Sequence, residues 1–123
     1  MAWKLDSERP IYTQIIERVV AGIISGTYHP GEKLPSVREL AAEAAVNPNT
    51  MQKALSELER TGLVKSQRTS GRFITEDTGL INSKKSELAK KEIKVFLEKM
   101  ESMGLGPEEI ENYIHEYIKE EEA

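Results

Sequence analysis

The chain has 123 residues, 38% hydrophobic and 31% charged, with a net charge of −4 and no cysteine. That length suits one compact domain, or a small domain with a helical appendage, and the composition is that of a folded chain. Without cysteine there is no disulfide framework, thiol switch or thiolate-bound zinc; no apolar run approaches the ~20 residues of a membrane span and no signal-peptide pattern opens the chain, so a cytoplasmic location is expected.

From Pro10 to Ser25, Ile11, Tyr12, Ile15, Ile16, Val19, Val20, Ile23 and Ile24 recur at helical spacing, with Pro10 suited to a first turn and Gly26 to a stop. At about 100° per residue these side chains sweep roughly 220° of helix surface, too wide for one core-facing stripe. Two neighbours must cover it: the rest of the domain, and either a C-terminal hairpin or a second subunit. Thr27 to Pro35, with Pro30-Gly31 and Pro35, reads as a loop. Ser36 and Glu39 then form a capping-box pattern that opens a second helix ending before Val46, with Val37, Leu40, Ala41 and Ala44 on one face and Arg38 outside it.

Asn47 suits an N-cap, Pro48 a first helical position and Gly62 a left-handed stop, so a third helix runs between them. Met51, Ala54, Leu55 and Leu58 form its buried stripe, which turns Asn49, Gln52, Lys53 and Ser56 outward. Leu63 to Gln67 and Arg72 to Thr75 flank Thr69-Ser70-Gly71 and read as a β-hairpin with Gly71 in the turn. Glu76 to Ser83 reads as a link. Beyond it Leu88, Ala89, Ile93, Phe96, Leu97, Met100 and Met103 make one helical stripe, and Ile110, Tyr113, Ile114, Tyr117 and Ile118 another, separated by Gly104-Leu105-Gly106-Pro107. The expected fold is mainly α with a small β wing: a winged helix-turn-helix domain at residues 1–77 and a two-helix hairpin at 78–123.

Charge divides the same way. Residues 1–75 carry four Lys and six Arg against eight acidic groups, a net +2, and hold every arginine; residues 76–123 carry seven Lys against thirteen acidic groups, a net −6. Arginine combines bidentate base reading with phosphate binding, so this asymmetry favours a DNA reader in the first part. Two short helices followed by a basic hairpin have the geometry that fits a major groove. Asn49 and Gln52 are placed to match base edges; Thr50 and free N–H groups of the first turn can hold a phosphate; Arg38, Lys53, Arg68 and Arg72 add phosphate anchors. Ser36, Asn47 and Ser70 join the DNA-facing set. Asn47 also acts simply as a cap, and Arg68 and Arg72 also suit a solvated hairpin edge. Met100 and Met103 read as packing residues, and His29 and His115 have no ligand-spaced partners. Neither a metal, a cofactor nor an enzymatic activity is expected, because nucleophile-elbow, zincin and phosphate-loop signatures are all missing.

The run Pro10-Ile11-Tyr12-Thr13-Gln14-Ile15, then Gly26, Pro30-Gly31-Glu32-Lys33-Leu34-Pro35-Ser36-Val37-Arg38-Glu39-Leu40-Ala41, Val46-Asn47-Pro48-Asn49-Thr50, Leu58-Glu59, Gly62-Leu63-Val64 and Gly71-Arg72-Phe73-Ile74 resembles the GntR family of bacterial winged-helix regulators, within it the short YtrA-like subfamily. The resemblance covers about residues 10–75; the tail resembles the subfamily in size and helical character. It implies DNA contacts at Arg38, Asn47, Asn49, Thr50, Gln52 and Gly71, and repression of an operon, often one for a transporter. Many relatives have arginine at Pro48 and Gln52 and glycine at Thr69. Pro48 reaches no base, so reading should shift to Asn49 and Gln52, which favour adenine.

A two-helix hairpin buries too little apolar area to stand alone. Its stripe should pack on the first helix or on a second copy; a homodimer is the expectation taken, with Leu88, Ile93, Phe96, Met100, Ile110, Tyr113, Ile114 and Tyr117 at its interface and two reading helices on a palindromic stretch of double-stranded operator DNA. No small-molecule effector is legible in the sequence. The competing reading is a winged helix used as a protein-binding adaptor.

Overall fold

The computed structural model describes residues 3–123. Its elements are α1 (Ile11–Ser25), α2 (Val37–Ala44), α3 (Pro48–Thr61), β1 (Val64–Gln67), β2 (Gly71–Ile74), α4 (Thr78–Ser102) and α5 (Pro107–Glu122). They divide into two compact units, one reaching to Lys85 and one of Ser86–Ala123. Among the described residues no helix is long and apolar enough to cross a membrane.

The core of the first unit forms where three apolar stripes meet. Ile15, Val19 and Ile23 of α1, Leu40 and Ala44 of α2, and Met51, Leu55 and Leu58 of α3 are buried, and α3 packs against both other helices. Pro10 sits just outside α1 as its N-cap, and Gly26, at φ 87°, closes it. The chain's own segment at residues 3–9 is a neighbour of α1 that periodicity does not reveal, and it meets the helix at Gln14, Glu17 and Arg18. Trp3 is 7% exposed, and the buried Gln14 amide bonds both the N–H and the carbonyl of Asp6.

The start of α2 is chemically locked. The Ser36 hydroxyl accepts the Glu39 N–H at 3.1 Å, and the Glu39 carboxylate accepts the Ser36 N–H at 3.1 Å. The bonds to Ser36, that from its backbone first, hold the Glu39 carboxyl below its ordinary range. A carboxyl lowered by folding stabilises the fold fully above its unfolded value and loses that contribution as pH falls through the folded one. Ser36→Ala is expected to cost about 1 kcal/mol at neutral pH. The backbone N–H of residue 36 survives that change, so the carboxylate half is read from Glu39→Gln: in urea titrations the stability it removes should shrink in acid, and a difference that does not change with pH would contradict the reciprocal cap.

β1 and β2 pair antiparallel from Val64↔Ile74 to Gln67↔Gly71. Gly71 therefore opens β2 instead of sitting in the turn. The turn is Arg68-Thr69-Ser70, in which Thr69 takes the left-handed conformation at φ 65° and the Ser70 N–H reaches the Gln67 carbonyl at 3.1 Å. The loop before α2 gives β2 a second edge: Lys33 bridges Phe73, the Leu34 N–H bonds the Arg72 carbonyl at 2.9 Å, and the Ile74 N–H bonds Glu32 at 2.8 Å.

The expected link at Glu76 to Ser83 is mostly helix. The Thr75 hydroxyl accepts the Asp77 N–H and the Asp77 carboxylate accepts the Leu80 N–H, both at 3.0 Å, so α4 starts at Thr78 despite Gly79. A side-chain oxygen on a first-turn N–H outweighs one glycine's backbone entropy. Ile81 is buried, and Leu80 lies where a Cβ at Gly62, at the end of α3, would come within 3.3 Å of it.

In the second unit Gly104, at φ 86°, turns the chain out of α4. Pro107 starts α5, where the Gly106 N–H reaches the Glu109 carboxylate at 3.2 Å. Ile110 is closed off within its own unit at 3% exposure, so it binds this hairpin together instead of presenting itself outward. Around it an open groove of about 480 Å³ is lined by Phe96, Met100, Tyr113, Ile114 and Tyr117. Ile93, Tyr113, Tyr117 and Ile118 are more than half exposed and Leu88 is half-buried.

Candidate nucleic-acid interface

α2 and α3 join through Ala45, Val46 and Asn47. Ala45 is left-handed at φ 60°, and the Val46 N–H bonds the Ala41 carbonyl at 3.0 Å, which turns the chain sharply at the end of α2. The first turn of α3 is then satisfied from within. Asn47 Oδ1 accepts the Asn49 N–H at 2.7 Å, the Asn47 carbonyl accepts those of Thr50 and Met51 at 3.0 and 3.1 Å, and Pro48 has none to offer. The expectation of free first-turn N–H groups for a phosphate is thus corrected: Asn47 consumes them. The start of α3 instead presents the Asn47 amide N–H groups, the exposed Asn49 side chain and the half-buried Thr50.

Other residues in the set differ in freedom. Gln52 is exposed, its amide making one long bond of 3.4 Å to Ser56. Lys53 lies over the ring of Tyr12, its ammonium 4.0 Å from the centroid, so a cation–π contact with α1 holds it in place. Arg38 is exposed on α2 and Arg68 at the wing tip. At the start of α2 the capping box uses the N–H groups of Ser36 and Glu39, while those of Val37 and Arg38 meet no acceptor among the described residues. The open helix N-terminus is therefore that of α2, with Arg38 beside it, and this is the end whose partial positive charge suits an anion.

Arg72 is not a free anchor. Its Nε donates to Glu59 Oε1 at 2.5 Å and its side chain is only 18% exposed, so the pair joins the wing to α3. Arg72→Ala leaves a partly buried Glu59 unpaired, and a loss of about 1–2 kcal/mol is expected, between the values for exposed and buried pairs. Coupling between Arg72→Ala and Glu59→Ala in a double-mutant cycle checks this; strictly additive losses would show that the pair contributes nothing.

Between the wing and the start of α2 lies a cleft of about 700 Å³. Lys33, Ser36 and Glu39 line one side, and Ser66, Ser70, Gly71 and Arg72 the other. Gly71 is at φ 104°, a backbone conformation that favours glycine, and a Cβ there would meet only the end of the flexible Lys33 side chain, at 3.2 Å from Cε. The fold thus brings Ser36, Ser70, Gly71 and Arg72 together, and sets Asn47, Asn49, Thr50 and Gln52 on one short stretch of α3. Lys33 joins the cleft although nothing in its local sequence marks it; its place follows from the bridge to Phe73. Chemically the surface offers amide side chains for base edges, hydroxyls and arginines for phosphates, and a two-stranded projection.

The model of the family described as bacterial regulatory proteins, gntR family, matches residues 11–74. The HTH-type transcriptional repressor YtrA of Bacillus subtilis (strain 168) is 40% identical over 116 residues, 93% of this chain and 85% of that protein. A solved GntR family transcriptional regulator from Listeria monocytogenes superposes with a TM-score of 0.85 at 38% identity, covering 91% of this chain and 98% of the other. The DNA-binding domain of AraR, solved in complex with operator ORE1, superposes with a TM-score of 0.53 at 31% identity, covering 61% of this chain and 94% of the other.

Proposed function

Because this chain belongs to the GntR family of bacterial regulatory proteins and its relatives regulate transcription by binding DNA, we propose that it is a repressor that binds a palindromic operator as a homodimer. α3 enters the major groove, where Asn49 and Gln52 accept and donate bidentately to base edges, adenine first. Asn47, Thr50, Ser36, Arg38, Lys53 and the wing residues Arg68, Ser70 and Gly71 hold the flanking phosphates, with Arg72 stiffening the wing that carries them. The observation that carries this reading is the exposed amide pair on a helix whose start is internally capped. Those side chains have few competing bonds within the chain.

Dimerisation is supported by the apolar groove of the second unit, which exposes more large hydrophobic side chains than a monomeric hairpin in water explains. Two copies related by a two-fold axis would present two α3 helices to half-sites one or more helical turns apart. Repression of a transporter operon is the regulatory role that the resemblance to the YtrA-like subfamily implies.

Selection of bound duplexes from a random DNA pool tests the reading. The expected product is an inverted repeat bound with a steep inverse dependence on salt. Weak retention without enrichment and without salt dependence would overturn it and favour the protein-binding adaptor. Within the selected complex, Arg68→Ala should weaken all duplexes alike and lower the salt slope by about one.

A further inference from the structure

The segment at residues 3–9 is fastened at three points. Gln14, 7% exposed, accepts the Asp6 N–H at 2.6 Å and donates to the carbonyls of Asp6 and Arg9. Arg9 pairs with Glu17 at 2.6 Å. Trp3, the chain's single tryptophan, lies under the Arg18 guanidinium at 4.6 Å and donates its indole N–H to Glu43 of α2 at 3.3 Å. A short stretch outside any helix or strand is ordinarily mobile; this one carries a buried aromatic ring and takes up the side-chain bonds of the buried Gln14 amide of α1.

The placement of Trp3 gives the fastening a purpose. With Leu5 and Ile11 it borders a cleft whose other walls are Ala45, Val46, Asn47 and Thr50, the turn between α2 and α3 and the first turn of α3. That turn contains Ala45 in a left-handed conformation, at φ 60°, that an L-residue adopts only at a steric cost. Such a conformation persists only where its surroundings over-determine it. α2 ends in this turn, and Glu43, two residues before it, is the residue that Trp3 holds.

We propose that residues 3–9 form a brace in which Trp3, through Glu43, fixes the turn at Ala45-Val46-Asn47 and thereby sets the angle at which α3 meets DNA. Trp3 is a positioning residue; it touches no base. The proposal rests on the reading of α3 as the operator-reading helix, and its structural half can be tested without DNA.

In the full-length chain, Trp3→Ala should raise amide exchange at Val46, Asn49 and Thr50 while Val19, Val20 and Ile23 in the middle of α1 keep their protection. Affinity for the selected operator should fall about tenfold, with binding to an unrelated duplex unchanged. Trp3→Phe keeps the ring under Arg18 but loses the bond to Glu43, and should recover only a small part of the affinity. Gln14→Leu, which removes the fastening at Asp6 and leaves Trp3 in the sequence, should produce the same exchange pattern. Exchange that rises uniformly, or not at all, in both Trp3→Ala and Gln14→Leu would overturn the brace. Selective exchange with unaltered operator affinity would overturn its link to reading. Failure of the wild-type chain to select any sequence would overturn the operator reading and that link with it, the exchange pattern then deciding the brace alone.

Discussion

In the full-length chain, Ile93→Asp combined with Tyr117→Asp is expected to give a monomer by sedimentation and to weaken operator binding by roughly 10²–10⁴-fold, the gain that linking two sites ordinarily provides. The positions are chosen for their exposure, 52% and 64%, one on each helix of the second unit. A charge there meets water in a single chain and costs its fold little, whereas between two copies it would be buried without a partner. Ile110→Asp would be the wrong test, because that side chain is already buried in its own hairpin and its loss would unfold the unit. Truncation after Thr75 would be equally misleading, since it removes Leu80 and Ile81 from the winged unit; a cut after Lys85 respects the division of the chain. A dimer that survives the double substitution would place the interface elsewhere.

Asn49→Ala and Gln52→Ala are each expected to cost about 1–3 kcal/mol of discrimination between the selected operator and a sequence altered at the contacted base pair. Both residues are exposed and alanine is the better helix former, so thermal unfolding should be unchanged or slightly raised. Asn47→Ala separates capping from reading. It frees the Asn49 N–H and should lower stability by about 1 kcal/mol. An unchanged footprint with both Asn49→Ala and Gln52→Ala would remove α3 from the role of reader.

Elements defined by their own neighbours in sequence were legible before the structure. The Ser36–Glu39 box, the Asn47-Pro48 start and the Gly26 and Gly62 stops all depend on groups within four residues of one another, and each appears where local chemistry puts it. The buried stripe of α3 followed from its period. What sequence did not disclose depends on distant partners or on competition. Gly79 and the polar run around it suggested a link, but the Asp77 cap and the burial of Ile81 make a helix there. Arg72 looked free because Glu59 is thirteen residues away, and Lys53 because Tyr12 lies on another helix. Trp3 and Gln14 gave no periodic signal at all: one is a lone aromatic near the start of the chain, the other a polar side chain buried to bond backbone. Among the residues expected to face DNA, the amides of α3 could be named from sequence, while the cleft beside the wing depends on Lys33 reaching Phe73.

The Arg72–Glu59 pair has a thermodynamic consequence. With β2 held to α3 on one side and to residues 31–34 on the other, the base of the wing is preorganised before any duplex arrives. Association then loses little conformational entropy in that region, and the strength of binding is not spent on ordering it. Calorimetry should show a heat-capacity change set by the apolar area covered at the contact, without the larger signature of a segment that folds as it binds. Releasing the tether with Glu59→Ala should make that heat-capacity change more negative and the binding entropy less favourable, even where affinity changes only modestly.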